Sequence, residues 1–102
     1  MIGIDLVDLR RIHLNPPLIK KVLSEQEQDV FNGLCSDKAK IEYLGGRFAA
    51  KEAIYKATQA EDYLAYSILN HPDGRPYVAG HAEIEISISH DGDYAIAMVM
   101  IR

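Results

Sequence analysis

The chain has 102 residues and a mass of 11.4 kDa, with 48% hydrophobic and 25% charged residues, which fits one soluble globular domain over residues 1–102 and excludes a disordered chain. A domain this small buries only about 60% of its unfolded surface, so size alone favours association with further copies. The formal charge of −4 argues against general nucleic-acid binding, and the single Cys35, read as a buried small apolar residue, cannot form an internal disulfide, in keeping with a reducing cytoplasm.

The N-terminal MIGIDLVDLRRI carries acids where a secretory signal needs a basic region and an unbroken apolar core, and no run is long and apolar enough for a membrane span. Neither nucleic acid nor membrane is an expected partner. Residues 1–7 read as a strand: Ile2, Ile4, Leu6 and Val7 form a nearly continuous apolar run, the pattern of a central strand covered on both faces, and Asp5 interrupts it. Residues 1–24 hold Arg10, Arg11, Lys20 and Lys21 against Asp5 and Asp8, whereas the remainder is acidic, with seven Lys or Arg and thirteen Asp or Glu. A basic end on an acidic chain suits an acidic protein partner, although a solvated helix face explains it equally well.

After Asn15, Pro16 and Pro17, the run Ser24-Glu25-Gln26-Glu27 is a capping-box pattern that predicts a short helix to about Leu34. Ser36-Asp37 opens a longer one, to about Gln59. The period then changes. Ser67–Asn70 and Arg75–Val78 flank Pro72-Asp73-Gly74 and predict a hairpin. Glu83–Ser89 alternates, with Ile84, Ile86 and Ile88 on one face, and Asp91-Gly92 turns the chain into a last strand, Tyr94–Ile101. One strand, helices and then four strands predict an α+β domain with helices on one face of a mainly antiparallel sheet.

The long helix poses a problem. Taking Phe48 as the zero, ideal geometry of about 100° per residue puts Ile41 near +20°, Leu44 near −40°, Tyr55 near −20° and Glu52 near +40°. Glu52 therefore shares the apolar face. A carboxylate buried alone protonates, pairs with a cation or binds a metal. The plain alternative is an i to i+4 pair with Lys56 at the edge of the stripe, which contributes roughly 0.2–0.5 kcal/mol. Two other residues favour chemistry: Asp5 is a second acid in an apolar segment, and His90 closes the Ile84, Ile86, Ile88 face. Two carboxylates with open remaining positions suit Mg²⁺, which keeps waters and takes phosphate oxygens, and Lys56 is suited to neutralising charge on a phosphoryl group. No Walker A loop, GxGxxG or HExxH is present.

Gly3-Ile4-Asp5, Gly46-Arg47-Phe48-Ala49-Ala50-Lys51-Glu52-Ala53 with Lys56, Gly74-Arg75-Pro76 and Ile88-Ser89-His90 closely resemble holo-acyl-carrier-protein synthases, the small 4′-phosphopantetheinyl transferases. The resemblance covers almost the whole chain. It implies transfer of the 4′-phosphopantetheine arm of coenzyme A to a serine of apo acyl carrier protein, releasing adenosine 3′,5′-bisphosphate. By that likeness Asp5 and Glu52 hold Mg²⁺, Glu52 helps to deprotonate the serine, Lys56 stabilises the transferring phosphoryl, and His90 contacts the pyrophosphate. Arg47, Phe48, Arg75 and Pro76 would line the coenzyme A cleft, and Arg10 and Arg11 would dock the acidic carrier. The resemblance further implies homotrimers with active sites between neighbouring protomers. The family usually has glycines soon after the KExxxK helix, whereas Thr58-Gln59-Ala60-Glu61-Asp62-Tyr63 has none. Two other readings remain open at this level: a non-catalytic oligomeric module that binds coenzyme A or carrier protein, and a different Mg²⁺-dependent phosphotransferase or phosphodiesterase.

Overall fold

The computed structural model describes residues 1–102. Strand β1 (Ile2–Asp8) leads through a 3₁₀ turn (Leu9–Arg11) into three helices, α1 (Pro16–Val22), α2 (Glu25–Asn32) and α3 (Asp37–Thr58). A second 3₁₀ turn (Tyr63–Ala65) precedes the hairpin β2 (Ile68–Asn70) and β3 (Pro76–Val78), and β4 (Ile84–Asp91) and β5 (Tyr94–Ile101) close the chain. The fold is α+β, and all strand pairs are antiparallel. No helix is long and apolar enough to cross a membrane.

Local chemistry fixes most of these boundaries. Ser24 accepts from the Glu27 amide while the Glu27 side chain accepts from the Ser24 amide, so the capping box is closed in both directions. Ser36 caps α3 by accepting from the Ala39 amide. Gly74 and Gly92 take φ of 95° and 58° in the two hairpin turns, where a side chain would be strained. Helix α1 was not expected. Its Pro16-Pro17 pair looks like a breaker, yet Asn15 caps the Leu18 amide and the prolines occupy the first helical positions, where a missing N–H costs nothing.

The strand order β1-β5-β4 corrects the reading of β1: it is an edge strand, and β5 is the central one. One face of the sheet lies under α3, where Val7, Ile84, Ala95, Ala97, Val99 and Ile101 are buried. The other face is bare, with Ile2 at 66%, Leu6 at 61% and Met98 at 47% exposure. The apolar run in β1 therefore reflects two apolar faces, of which this chain covers one. Cys35 is also corrected: it is exposed, in the link between α2 and α3.

Helix α3 is the axis of the molecule and is enclosed on most of its circumference. Leu44, Ala49, Ala50, Ala53 and Ile54 are buried, together with Arg47 and Lys51. Of the stripe expected to pack, Leu44 is buried, whereas Ile41, Phe48, Glu52 and Tyr55 are half-open, with Ile41 and Phe48 packed at the margin of the core; the fully packed side is that of Ala49, Ala50 and Ala53. Small residues make the close packing possible. A Cβ on Gly3 would sit 1.9 Å from the Ala53 carbonyl oxygen, so only glycine lets β1 approach the α3 backbone this closely.

Candidate active site

The half-open side of α3 faces a cleft of about 670 Å³ whose walls include Asp5, Asp8, Arg11, Phe48, Glu52 and Tyr94. Asp5 reaches it because Gly3, Asp5 and Val7 share the helix-facing side of β1. The two carboxylates singled out in the sequence thus meet in one cavity, one from the strand and one from the helix.

Their partners differ from the expected ones. Lys56 does not pair with Glu52 one turn back; its Nζ donates to Asp5 Oδ1 at 2.9 Å. Glu52 Oε1 instead accepts a hydrogen bond from the Tyr63 hydroxyl. Burial first, then the Glu52 carboxylate and next Glu61, push the Tyr63 phenol above its usual range, which keeps it a neutral donor. The donor set offered to an ion is two carboxylates and no third His, Cys, Asp or Glu. Such an all-oxygen, incomplete set fits Mg²⁺, which would fill its shell with waters and phosphate oxygens.

The other sequence-derived residues fall in different places. Phe48 lines the cleft, but its neighbour Arg47 is buried on the far side, donating through Nε to the Ile68 carbonyl and through a terminal nitrogen to Asn70 Oδ1. Its guanidinium lies 4.2 Å from the Tyr43 ring centroid, and burial lowers its pKa. Arg47 is thus occupied with anchoring the β2–β3 hairpin to α3. His90 donates through Nε2 to the Glu42 carbonyl at 3.0 Å and passes over the bare Cα of Gly46, where a Cβ would come within 3.1 Å of the ring. Arg75 and Pro76 border a separate depression of about 400 Å³ beside β3 and β4. Within one chain, then, Arg75, Pro76 and His90 do not share the cleft of Asp5 and Glu52.

Arg10 and Arg11 also separate. Arg10 forms a two-pronged bond to Asp8, through Nε at 2.9 Å and a terminal nitrogen at 2.9 Å, and it contacts Tyr94. Arg11 makes no ion pair and lies on the rim of the cleft.

Two features escaped the sequence. Lys51 is paired with Glu27 in the interior, and Tyr63 reaches Glu52. The first had a partial signal in the capping box that already pins Glu27, whereas the second depends on the path of the chain after α3.

A family model described as the 4′-phosphopantetheinyl transferase superfamily matches residues 1–99. The holo-[acyl-carrier-protein] synthase of Exiguobacterium sibiricum is 42% identical over 112 aligned positions, covering 99% of this chain and 87% of that protein. The corresponding protein of a Geobacillus species is also 42% identical, over 99% of this chain and 94% of its own length. Among solved structures, a holo-(acyl-carrier-protein) synthase from Bacillus anthracis in complex with CoA (3′,5′-ADP) superposes with a TM-score of 0.87 at 33% identity, covering 98% of this chain and 93% of that one. The Helicobacter pylori holo-[acyl-carrier-protein] synthase in complex with coenzyme A gives 0.82 at 29% identity over the whole of both chains.

Proposed function

Because the chain belongs to the 4′-phosphopantetheinyl transferase superfamily, we propose that it is a holo-acyl-carrier-protein synthase. It transfers the 4′-phosphopantetheine arm of coenzyme A to a serine of apo acyl carrier protein and releases adenosine 3′,5′-bisphosphate. The observation that carries this reading is the meeting of Asp5 and Glu52 at one cleft, with Lys56 bonded to Asp5, in a chain 42% identical to proteins of that name.

In the transfer, the serine oxygen forms a bond to the phosphorus of the pantetheine arm as the bond from that phosphorus to the bisphosphate breaks. Asp5 and Glu52 would hold Mg²⁺, which when bound would supply charge neutralisation at the pyrophosphate. Glu52 takes up the serine proton, directly or through water. Lys56 is already held at Asp5 Oδ1, so its ammonium stands beside the site where negative charge develops and stabilises it. Phe48 forms an apolar wall of the cleft.

The assembly would be a homotrimer with sites between protomers. Two features support this: the bare face of the sheet, where Ile2, Ile4, Leu6, Ile96, Met98 and Met100 lie exposed side by side on the paired strands β1 and β5, and the separation of Arg75, Pro76 and His90 from Asp5 in a single chain. Those three residues would complete the cofactor site of the neighbouring copy. The unpaired Arg11 meets the acidic carrier, with Arg10 held back by Asp8. The medium of such a reaction would be the cytoplasm, where carriers serve fatty-acid biosynthesis.

Incubating the protein with Mg²⁺, coenzyme A and apo carrier protein should add the mass of the arm to the carrier. A carrier of unchanged mass would refute the assignment, and binding of coenzyme A without transfer would favour a non-catalytic module.

A further inference from the structure

The path of the chain after α3 bears on the chemistry. Gln59 ends the helix in a left-handed conformation, φ 62°, with its amide bonded to the Tyr55 carbonyl. This reverses the chain without a glycine, at the modest cost of a side chain in that region. Asp62 then caps the second 3₁₀ turn by accepting from the Ala65 amide. The result is that Tyr63 comes back alongside α3, eleven residues after Glu52.

Tyr63 is held through both its ring and its hydroxyl. Its ring packs on Phe48 at a centroid distance of 6.0 Å, and the Lys21 ammonium of α1 lies 5.7 Å from the ring centroid. Its hydroxyl donates to Glu52 Oε1, while Glu52 Oε2 has no protein partner. The donor is uncharged. A lysine in this place would compete with a bound cation, whereas a phenol orients the carboxylate and leaves its charge available.

Resting on the role proposed for Glu52, we propose that Tyr63 is a positioning residue for the transfer: its hydroxyl fixes one carboxylate oxygen of Glu52 and leaves the other for metal and serine. Partners that orient a metal-binding carboxylate typically contribute about 10–100-fold to affinity or activity.

Tyr63→Phe keeps the ring and deletes the hydroxyl. It should lower kcat roughly 10–100-fold and weaken Mg²⁺ binding, measured by calorimetry with coenzyme A present, while the KM for coenzyme A stays within a factor of about two. Parental kcat and Mg²⁺ affinity in Tyr63→Phe would overturn the inference while leaving the transferase reading intact; failure of the parent itself to modify the carrier would overturn that reading instead. A second measurement needs neither metal nor turnover. In the metal-free protein, Tyr63→Phe and Glu52→Ala should shift the urea midpoint non-additively when combined, because each removes the same bond. Additive shifts would also overturn the inference.

Discussion

Lys51 adjoins the candidate catalytic Glu52 in sequence yet points into the protein, and its replacement by methionine gives a quantitative test of how α3 is held. Lys51 and Glu27 are 3% and 0% exposed. The ammonium donates to Glu27 Oε1 and to the Val22 carbonyl, and the Glu27 carboxylate also accepts from the Ser24 amide at 2.9 Å and the Ile68 amide at 2.8 Å. One ion pair therefore ties the end of α1, the start of α2, the start of β2 and the middle of α3. Burial lowers the Lys51 pKa and the attraction of Glu27 opposes that shift. Lys51→Met preserves the apolar stem but leaves a buried, uncompensated carboxylate, which costs about 3–5 kcal/mol. In a domain of this size that loss lowers the melting midpoint by more than about 12 °C. Urea denaturation at fixed protein concentration measures it, with Glu27→Gln/Lys51→Met as companion. With both charges removed, the pair should regain a substantial part of the loss. A Lys51→Met protein within about 1 kcal/mol of the parent, or a companion whose losses simply add, would refute the reasoning.

Glu52→Gln should cut carrier modification by about 10²–10⁴-fold with stability within about 1 kcal/mol of the parent, since the amide oxygen can still accept from Tyr63; equal losses of rate and stability would make Glu52 merely structural. Gly3→Ala places a Cβ against the Ala53 carbonyl, so it should cost about 1–3 kcal/mol and also lower the transfer rate as β1 and Asp5 move off α3; parental melting behaviour would count against the close approach. Arg11→Glu should raise the KM for carrier protein several-fold at low salt, with the effect fading at high salt, whereas Arg10→Glu also disturbs its bond to Asp8. A matched loss of coenzyme A affinity in Arg11→Glu would refute a docking role.

Much of this molecule was legible because its signals are local. The Ser24–Glu27 box, the Ser36 cap, the glycines of the two hairpin turns and the alternation of β4 each need only a few residues of sequence, and the structure reproduces all of them. Helix α1 was missed because a proline pair reads as a break unless the capping Asn15 is weighed with it. Asp5, Glu52 and Lys56 were singled out by acids in apolar stretches and by motif spacing, and the structure brings those three together.

What the sequence determined by itself was therefore the elements and the polar residues set into them, since caps, turns and periodicity act over one or two turns of chain. Only the tertiary structure decided which side of each element is covered. A helical wheel marks Phe48, Glu52 and Tyr55 as one stripe but cannot say that the Ala49, Ala50 and Ala53 side, narrow enough for β1 and β5 to approach, is the one that packs. The same holds for partners. Lys56 turns to Asp5, fifty-one residues away, and Glu52 to Tyr63, because hydrogen bonds depend on distance in space, and long-range strand pairing and chain reversal set that distance.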